Sequence, residues 1–198
     1  MQSAENYIIT TKETQNGFSV NRKLVNSYDY HRKFDNITTH KAANESIYQQ
    51  SKRILENRDG TEYERMVVVD YRTGSVVADN IESTVNNKLK TGFTEEQYQK
   101  VINHKGNTVI IHNHPGSTRP SGKDILTLWE EKNVYASVVV GHDGTVFIIS
   151  NINRKLPLDK IYEEAYNKAK ESGWSNEFAK IKATNALYKA NAFDYSEV

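Results

Sequence analysis

Residues 108–124 read TVIIHNHPGSTRPSGKD, and this stretch decides both the fold class and the chemistry that we expect of the chain. Its β-branched beginning predicts a buried strand, which Pro115 stops because proline cannot donate to a strand ladder. The letters GSTRP predict a loop, and a helix is predicted over 121–132. The stretch therefore predicts a strand, a short loop and a helix, with polar side chains gathered at the junction.

Two histidines and an aspartate stand at that junction. His112 and His114 are two residues apart on the predicted strand, so both rings leave the same face near its C-terminal end. Asp124 lies in the first turn of the following helix, and a strand end and the next helix start can converge. Two imidazoles and one carboxylate leave a fourth position for water, which is typical of catalytic rather than structural zinc. The sequence therefore predicts one zinc ion per chain.

A hydrolytic zinc site also needs a base, because zinc lowers the pKa of its bound water and a neighbouring group must accept the proton. Glu64 begins a predicted strand over 64–70 and shares a face with Met66 and Val68. Glu62 points to the same side and remains an alternative. We prefer Glu64 because it stands directly at the start of the strand.

Ser121 has two interpretations. Its hydroxyl would lie near the metal, where it could stabilise a developing oxyanion. Ser121 and Asp124 also have the spacing of a helix capping box, in which a serine side chain caps the helix. The two roles are compatible.

The remaining pattern completes an α/β fold with a mixed sheet of about five strands flanked by helices, followed by a helical C-terminal tail. A capping box over 94–97 opens one of the helices. The predicted helices are 42–57, 94–104, 158–171 and 175–191, and the predicted strands besides 64–70 and the one in 108–114 are 75–78, 134–140 and 145–150.

Composition narrows the function classes. The chain of 198 residues has no cysteine, so disulfides, thiolate zinc sites and a cysteine nucleophile are excluded. Lys+Arg number 26 and Asp+Glu number 25, a balance that argues against a nucleic-acid partner. The start lacks a signal peptide, and no run approaches the roughly 20 apolar residues of a membrane helix. We therefore expect a cytoplasmic protein without a membrane partner.

The chain divides into three predicted segments. Residues 1–38 are polar and predict a poorly packed N-terminal arm or linker, which Tyr28, Tyr30 and Phe34 could dock onto the core. Residues 39–155 hold the sheet and the candidate site, and residues 156–198 form a helical C-terminal extension. His142 lies in a Gly-His-Asp-Gly stretch that predicts a hairpin turn.

The segment HNHPGSTRPSGKD resembles the signature of the JAB/MPN (JAMM) zinc metalloprotease superfamily, an upstream glutamate followed by HxHP and SxxD. It is most similar to the RadC-like branch and to JAB domains of phage and mobile-element proteins. The resemblance covers about residues 44–150. Within that range the HNHP and SxxD segment is specific to the family, and the remainder is generic. This chain has six residues between His114 and Ser121, where the common spacing has seven. RadC-like spacing, counted back from Asp70, would favour Glu62 over Glu64.

The resemblance implies that 39–155 is a JAB/MPN-like metallohydrolase domain, an α/β sandwich related to cytidine deaminases. It implies a zinc ion on His112, His114 and Asp124, a glutamate that activates water, and Ser121 assisting the oxyanion. The implied activity is that of a zinc-dependent metallopeptidase or isopeptidase.

The implied substrate is a peptide or protein, with ubiquitin-like proteins and phage structural proteins as candidates. The alternative is a catalytically inactive phage or mobile-element module that keeps the JAB fold for structure or interaction. A nucleic-acid role, by analogy with RadC-like proteins, is disfavoured by the balanced charge.

Overall fold

The computed structural model describes residues 17–83 and 92–198, and within these ranges the chain forms one mixed sheet of six strands. The strand order is β2-β1-β3-β4-β5-β6, with β3 and β4 parallel and every other neighbouring pair antiparallel. The strands are β1 (Met66–Asp70), β2 (Val76–Asp79), β3 (Thr108–His114), β4 (Val134–Gly141), β5 (Val146–Ser150) and β6 (Asp194–Glu197).

Helices flank this sheet, as the sequence predicts, and both predicted capping boxes are present. The predicted helices of the C-terminal extension are also present. The helices are α1 (Arg22–Val25), α2 (Tyr28–Arg32), α3 (Lys41–Arg58), α4 (Glu95–Ile102), α5 (Gly122–Glu130), α6 (Leu158–Glu171) and α7 (Asn176–Lys189).

The sheet has one strand more than the five that the sequence predicts. The additional strand, β6, follows the C-terminal helices and pairs with β5 along the sheet edge. Its residues, DYSE, are all exposed, so they lack the apolar alternation by which a half-buried strand is recognised. Pairing with β5, rather than side-chain burial, keeps this segment extended.

Side chains alternate along β3, so its two faces contribute to two separate hydrophobic cores. Val109 and Ile111 face α3 together with Val67 and Val138 from the neighbouring strands. The opposite face carries Ile110 and packs against α5 and α7 through apolar side chains that include Ile125, Leu128 and Leu187. The sheet is therefore covered on both faces, and His112 and His114 share the Ile110 face because side chains alternate along a strand.

The described part of the N-terminal segment, residues 17–38, is packed on the sheet rather than loose. Val25, Tyr30 and Phe34 are almost fully buried in the core that α3 covers. Tyr30 and Phe34 thus dock the segment as the sequence predicts, whereas Tyr28 is 73% exposed. The earlier part of the predicted arm, residues 1–16, lies outside the described residues.

Across residues 17–83 and 92–198, no helix combines the length and the apolar character that a membrane crossing requires.

Candidate metal centre

The end of β3 and the start of α5 bring His112, His114 and Asp124 together. The two histidine Nε2 atoms lie 3.2 Å apart. The Nε2 atom of His112 lies 3.3 Å from Asp124 Oδ1, and that of His114 lies 3.5 Å from Asp124 Oδ2. The loop of six residues between His114 and Ser121 thus brings the carboxylate to both imidazoles.

These three side chains could hold a metal ion. Zinc bonds to nitrogen and oxygen of about 2.0–2.2 Å place tetrahedral ligand atoms about 3.3–3.6 Å from one another. The three donor–donor distances in this cluster, 3.2, 3.3 and 3.5 Å, are close to that spacing. The three donor atoms therefore lie close enough together for one cation to contact all of them.

The ring of His114 is already oriented for such a role. Its Nδ1 atom donates to the Thr118 carbonyl oxygen at 2.8 Å, which leaves the Nε2 lone pair directed into the cluster. Histidine ligands of metals are commonly fixed in this way through the second ring nitrogen. The Nδ1 atom of His112, in contrast, is buried and finds no hydrogen-bond partner in the described part of the chain.

The charges within the cluster depend on one another. Burial by itself would raise the pKa of Asp124, but the neighbouring rings of His112 and His114 hold that pKa well below its usual range. Burial would lower the pKa of His114, but hydrogen bonding and attraction from Asp124, together with the Glu64 charge, raise it. A buried ionised carboxylate facing two imidazoles attracts positive charge, whether a proton or a metal ion.

Ser121, at the start of the same helix, also holds Asp124 in place. The backbone N–H and the hydroxyl of Ser121 both donate to Asp124 Oδ2 at 2.7 Å, while Ser121 caps α5. The capping box and the placement of Asp124 beside the histidines therefore coexist. Because its hydroxyl hydrogen is directed at Asp124, Ser121 orients the carboxylate in this arrangement, and it must rotate to donate to an oxyanion.

Glu64 stands beside the cluster, with Oε1 3.9 Å from His114 Nε2. The antiparallel register pairs Met66 with His112, so the residues just before β1 lie next to the end of β3. Glu62 lines the same cleft, which encloses about 750 Å³. Both glutamates therefore line the cleft that holds the histidine cluster.

Asn113, between the two histidines, holds the segment that carries Glu64. Its side chain points to the opposite face of β3 and is fully buried. The Oδ1 atom accepts from the backbone N–H of Arg65 at 2.8 Å, and Nδ2 donates to the carbonyl oxygen of Tyr63 at 3.1 Å. One amide thus fixes the backbone on both sides of Glu64.

His142 supports that amide from behind. It is fully buried, and its Nε2 atom accepts from Asn113 Nδ2 at 3.0 Å. Its Nδ1 atom donates to the Phe18 carbonyl oxygen at 2.6 Å. With Nδ1 protonated and Nε2 accepting, the ring is neutral, and burial accordingly lowers the pKa of His142.

Sequence reasoning missed both Asn113 and His142 as parts of the site. An asparagine inside a β-branched strand is a usable signal, because a buried amide must find hydrogen-bond partners. The Gly-His-Asp-Gly stretch gave no such signal, because a turn accounts for every one of its residues.

The C-terminal extension fixes the start of α5, the helix that carries the third candidate ligand, Asp124. The Tyr188 hydroxyl of α7 donates to the Pro120 carbonyl oxygen at 3.0 Å, and Gly122 N–H donates to Thr184 Oγ1, also at 3.0 Å. The guanidinium of Arg119 lies over the Tyr188 ring, 4.3 Å from its centroid. Arg119 in the predicted loop therefore contacts α7.

Comparison of the chain with models of protein families, with curated proteins and with solved structures found no match in any of the three.

Proposed function

We propose that this chain is a zinc-dependent metallopeptidase or isopeptidase with a JAB/MPN-type domain. The observation that carries the proposal is the convergence of His112, His114 and Asp124, with Glu64 beside them, in one open cleft. The resemblance of residues 112–124 to the JAB/MPN signature supports the same conclusion. The two-histidine, one-carboxylate donor set fits zinc in a catalytic rather than a structural site.

The residues divide the chemistry among them. Zinc, held by His112, His114 and Asp124, would supply Lewis acidity to the scissile carbonyl and lower the pKa of a water molecule. Glu64 accepts the proton of the attacking water and returns it to the leaving amine. Ser121 orients Asp124, and its hydroxyl can rotate toward the developing oxyanion.

Peptide and isopeptide panels presented to the zinc-loaded protein test this proposal. We expect hydrolysis by wild type and a loss of at least about 100-fold in the Glu64→Gln variant, the range of general base catalysis. Zinc content should be unchanged, because Glu64 is not assigned as a ligand. Glu62→Gln is the matched control and should retain most of the activity.

Two results would count against parts of this account. Equal rates for wild type and Glu64→Gln would eliminate Glu64 as the base, and a loss confined to Glu62→Gln would assign that role to Glu62. Stoichiometric zinc without hydrolysis of any panel member would favour the inactive structural or interaction module instead.

A further inference from the structure

The cleft that holds the histidine cluster continues well beyond it. It runs between α4 and α5 over the sheet, and its volume of about 750 Å³ is within the range of small-molecule sites. Ile110 precedes His112 by two residues on the same face of β3, so the cleft extends about 7 Å along the strand from one to the other. A substrate bound at the histidines has room to place a neighbouring group there.

The two parts of the cleft differ in chemistry. The candidate ligands and Glu64, Thr118 and Ser121 gather at the end of β3. Beside and beyond them the walls carry three apolar side chains: Met66 on β1, which pairs with His112, Ile110 on β3 and Phe93 before α4. Two hydroxyl side chains, Thr127 on α5 and Ser137 on β4, complete this part of the lining. Met66 and Phe93 are only partly buried, so their apolar surface is open to an occupant.

The far part is closed by a hydrogen bond across the cleft. Tyr98 on α4 donates its hydroxyl to Glu131 Oε1, just after α5, at 2.9 Å. Glu131 is close in sequence to Val134, which pairs with Thr108 at the opposite end of β3 from the histidines. This bridge therefore limits the length of a group that enters from the metal end, and its carboxylate disfavours an acidic one.

We infer that the part of the cleft lined by Met66, Phe93, Tyr98 and Ile110 is a subsite for one bulky apolar side chain next to the cleaved bond. The inference rests on the proposed function and narrows its substrates to peptide segments with such a residue at that position. Discrimination comes from burial of apolar surface, which the subsite offers to leucine-sized side chains and not to glycine.

Amino-acid hydroxamates test the subsite directly, because the hydroxamate binds zinc while the side chain probes the cleft. We would titrate the zinc-loaded protein with the N-acetyl hydroxamates of glycine, leucine and aspartate by calorimetry. The leucine compound should bind roughly tenfold or more tightly than the glycine compound. The aspartate compound should bind no more tightly than the glycine compound.

Two variants on α4 form a matched pair. Tyr98 and Ile102 are each 40% exposed, but only Tyr98 lines the cleft. Tyr98→Ala should reduce the leucine-to-glycine affinity ratio by about threefold or more. Ile102→Ala should leave that ratio at its wild-type value.

The possible failures are distinguishable. If no hydroxamate binds the zinc-loaded protein, the proposed function fails and the subsite fails with it. If glycine and leucine compounds bind equally, the subsite is overturned while the metal site stands. A tighter aspartate compound, or equal effects of Tyr98→Ala and Ile102→Ala, would also overturn the assignment.

Discussion

The Nδ2 atom of Asn113 and the Nε2 atom of His142 share a buried hydrogen bond of 3.0 Å, which joins β3 to the turn after β4. The same amide bonds the backbone on both sides of Glu64, and the same ring bonds the Phe18 carbonyl. The residue between the two candidate histidine ligands therefore connects the proposed base to the packed N-terminal segment.

Removing the Asn113 amide should destabilise the fold. Asn113→Ala leaves the Arg65 N–H, the Tyr63 carbonyl and His142 without their present partner. We expect a loss of about 2–4 kcal/mol in the free energy of unfolding, measured in urea, because buried polar groups left unsatisfied are costly. Asn103→Ala is the control, because that exposed side chain bonds only its own helix, and it should cost well under half as much. Equal losses would contradict the role assigned to Asn113.

The neutral state of His142 should make stability depend on pH. Burial lowers its pKa in the folded protein from the ordinary value of 6.5, although Asp59 and Asp143 act in the opposite direction. Below pH 6.5 the unfolded chain binds a proton that the folded chain does not, so stability falls as the pH falls. Wild type should lose up to about 1.4 kcal/mol per pH unit more than His142→Gln below pH 6.5. Parallel pH profiles for the two proteins would rule out a neutral buried His142.

A comparison of variants at Ser121 and Thr94 distinguishes the loss of a helix cap from the loss of ligand orientation. Each residue caps its helix through a capping box, but only Ser121 bonds a candidate ligand. Ser121→Ala and Thr94→Ala should each cost about 1 kcal/mol of stability. Only Ser121→Ala should also weaken zinc binding, by about 10–100-fold, as loss of a group that orients a ligand does. Competition with a chelator measures the affinities, and unchanged zinc binding in Ser121→Ala would refute its orienting role.

The contact between α5 and the C-terminal helices should tolerate no added methyl group at Gly122. A Cβ atom there would overlap the Tyr162 ring and lie 2.9 Å from Thr184 Oγ1. Helix propensity alone favours alanine, yet we expect Gly122→Ala to destabilise by about 1–3 kcal/mol because of overpacking. At Gly116 the added atom meets only Thr118 at 3.8 Å, so Gly116→Ala should be nearly neutral. Thermal unfolding of both variants measures the two effects, and a stabilised Gly122→Ala would show that the C-terminal helices do not pack tightly against the start of α5.

Much of the fold could be predicted because its main signals are local. The β-branched run before His112, the proline after His114 and the capping box at Ser121 each specify their own element. The same stretch placed both histidines on one face, and the structure brings Asp124 to them. Local sequence patterns were sufficient to predict the candidate ligands because His112, His114 and Asp124 lie within thirteen consecutive residues.

The parts that could not be predicted depend on contacts between distant segments. The exposed strand β6 is set by pairing with β5, and its own residues carry no apolar alternation. The burial of Val25 depends on α3 and the sheet, and the hydrogen bond from His142 reaches back to Phe18. The hydrogen bond from the Tyr188 hydroxyl to the Pro120 carbonyl oxygen joins α7 to the loop before α5. A single sequence gives no register for such pairs.

The most direct test of the central claim is the metal content of the purified protein after zinc is supplied, measured by elemental analysis. The control variant is His104→Ala, whose histidine bonds Asp70 and takes no part in the cluster. We predict about one zinc ion per chain in wild type and in His104→Ala, and its loss in the His112→Ala/His114→Ala double variant. Absence of zinc from wild type, or equal zinc in wild type and the double variant, would contradict the proposed site.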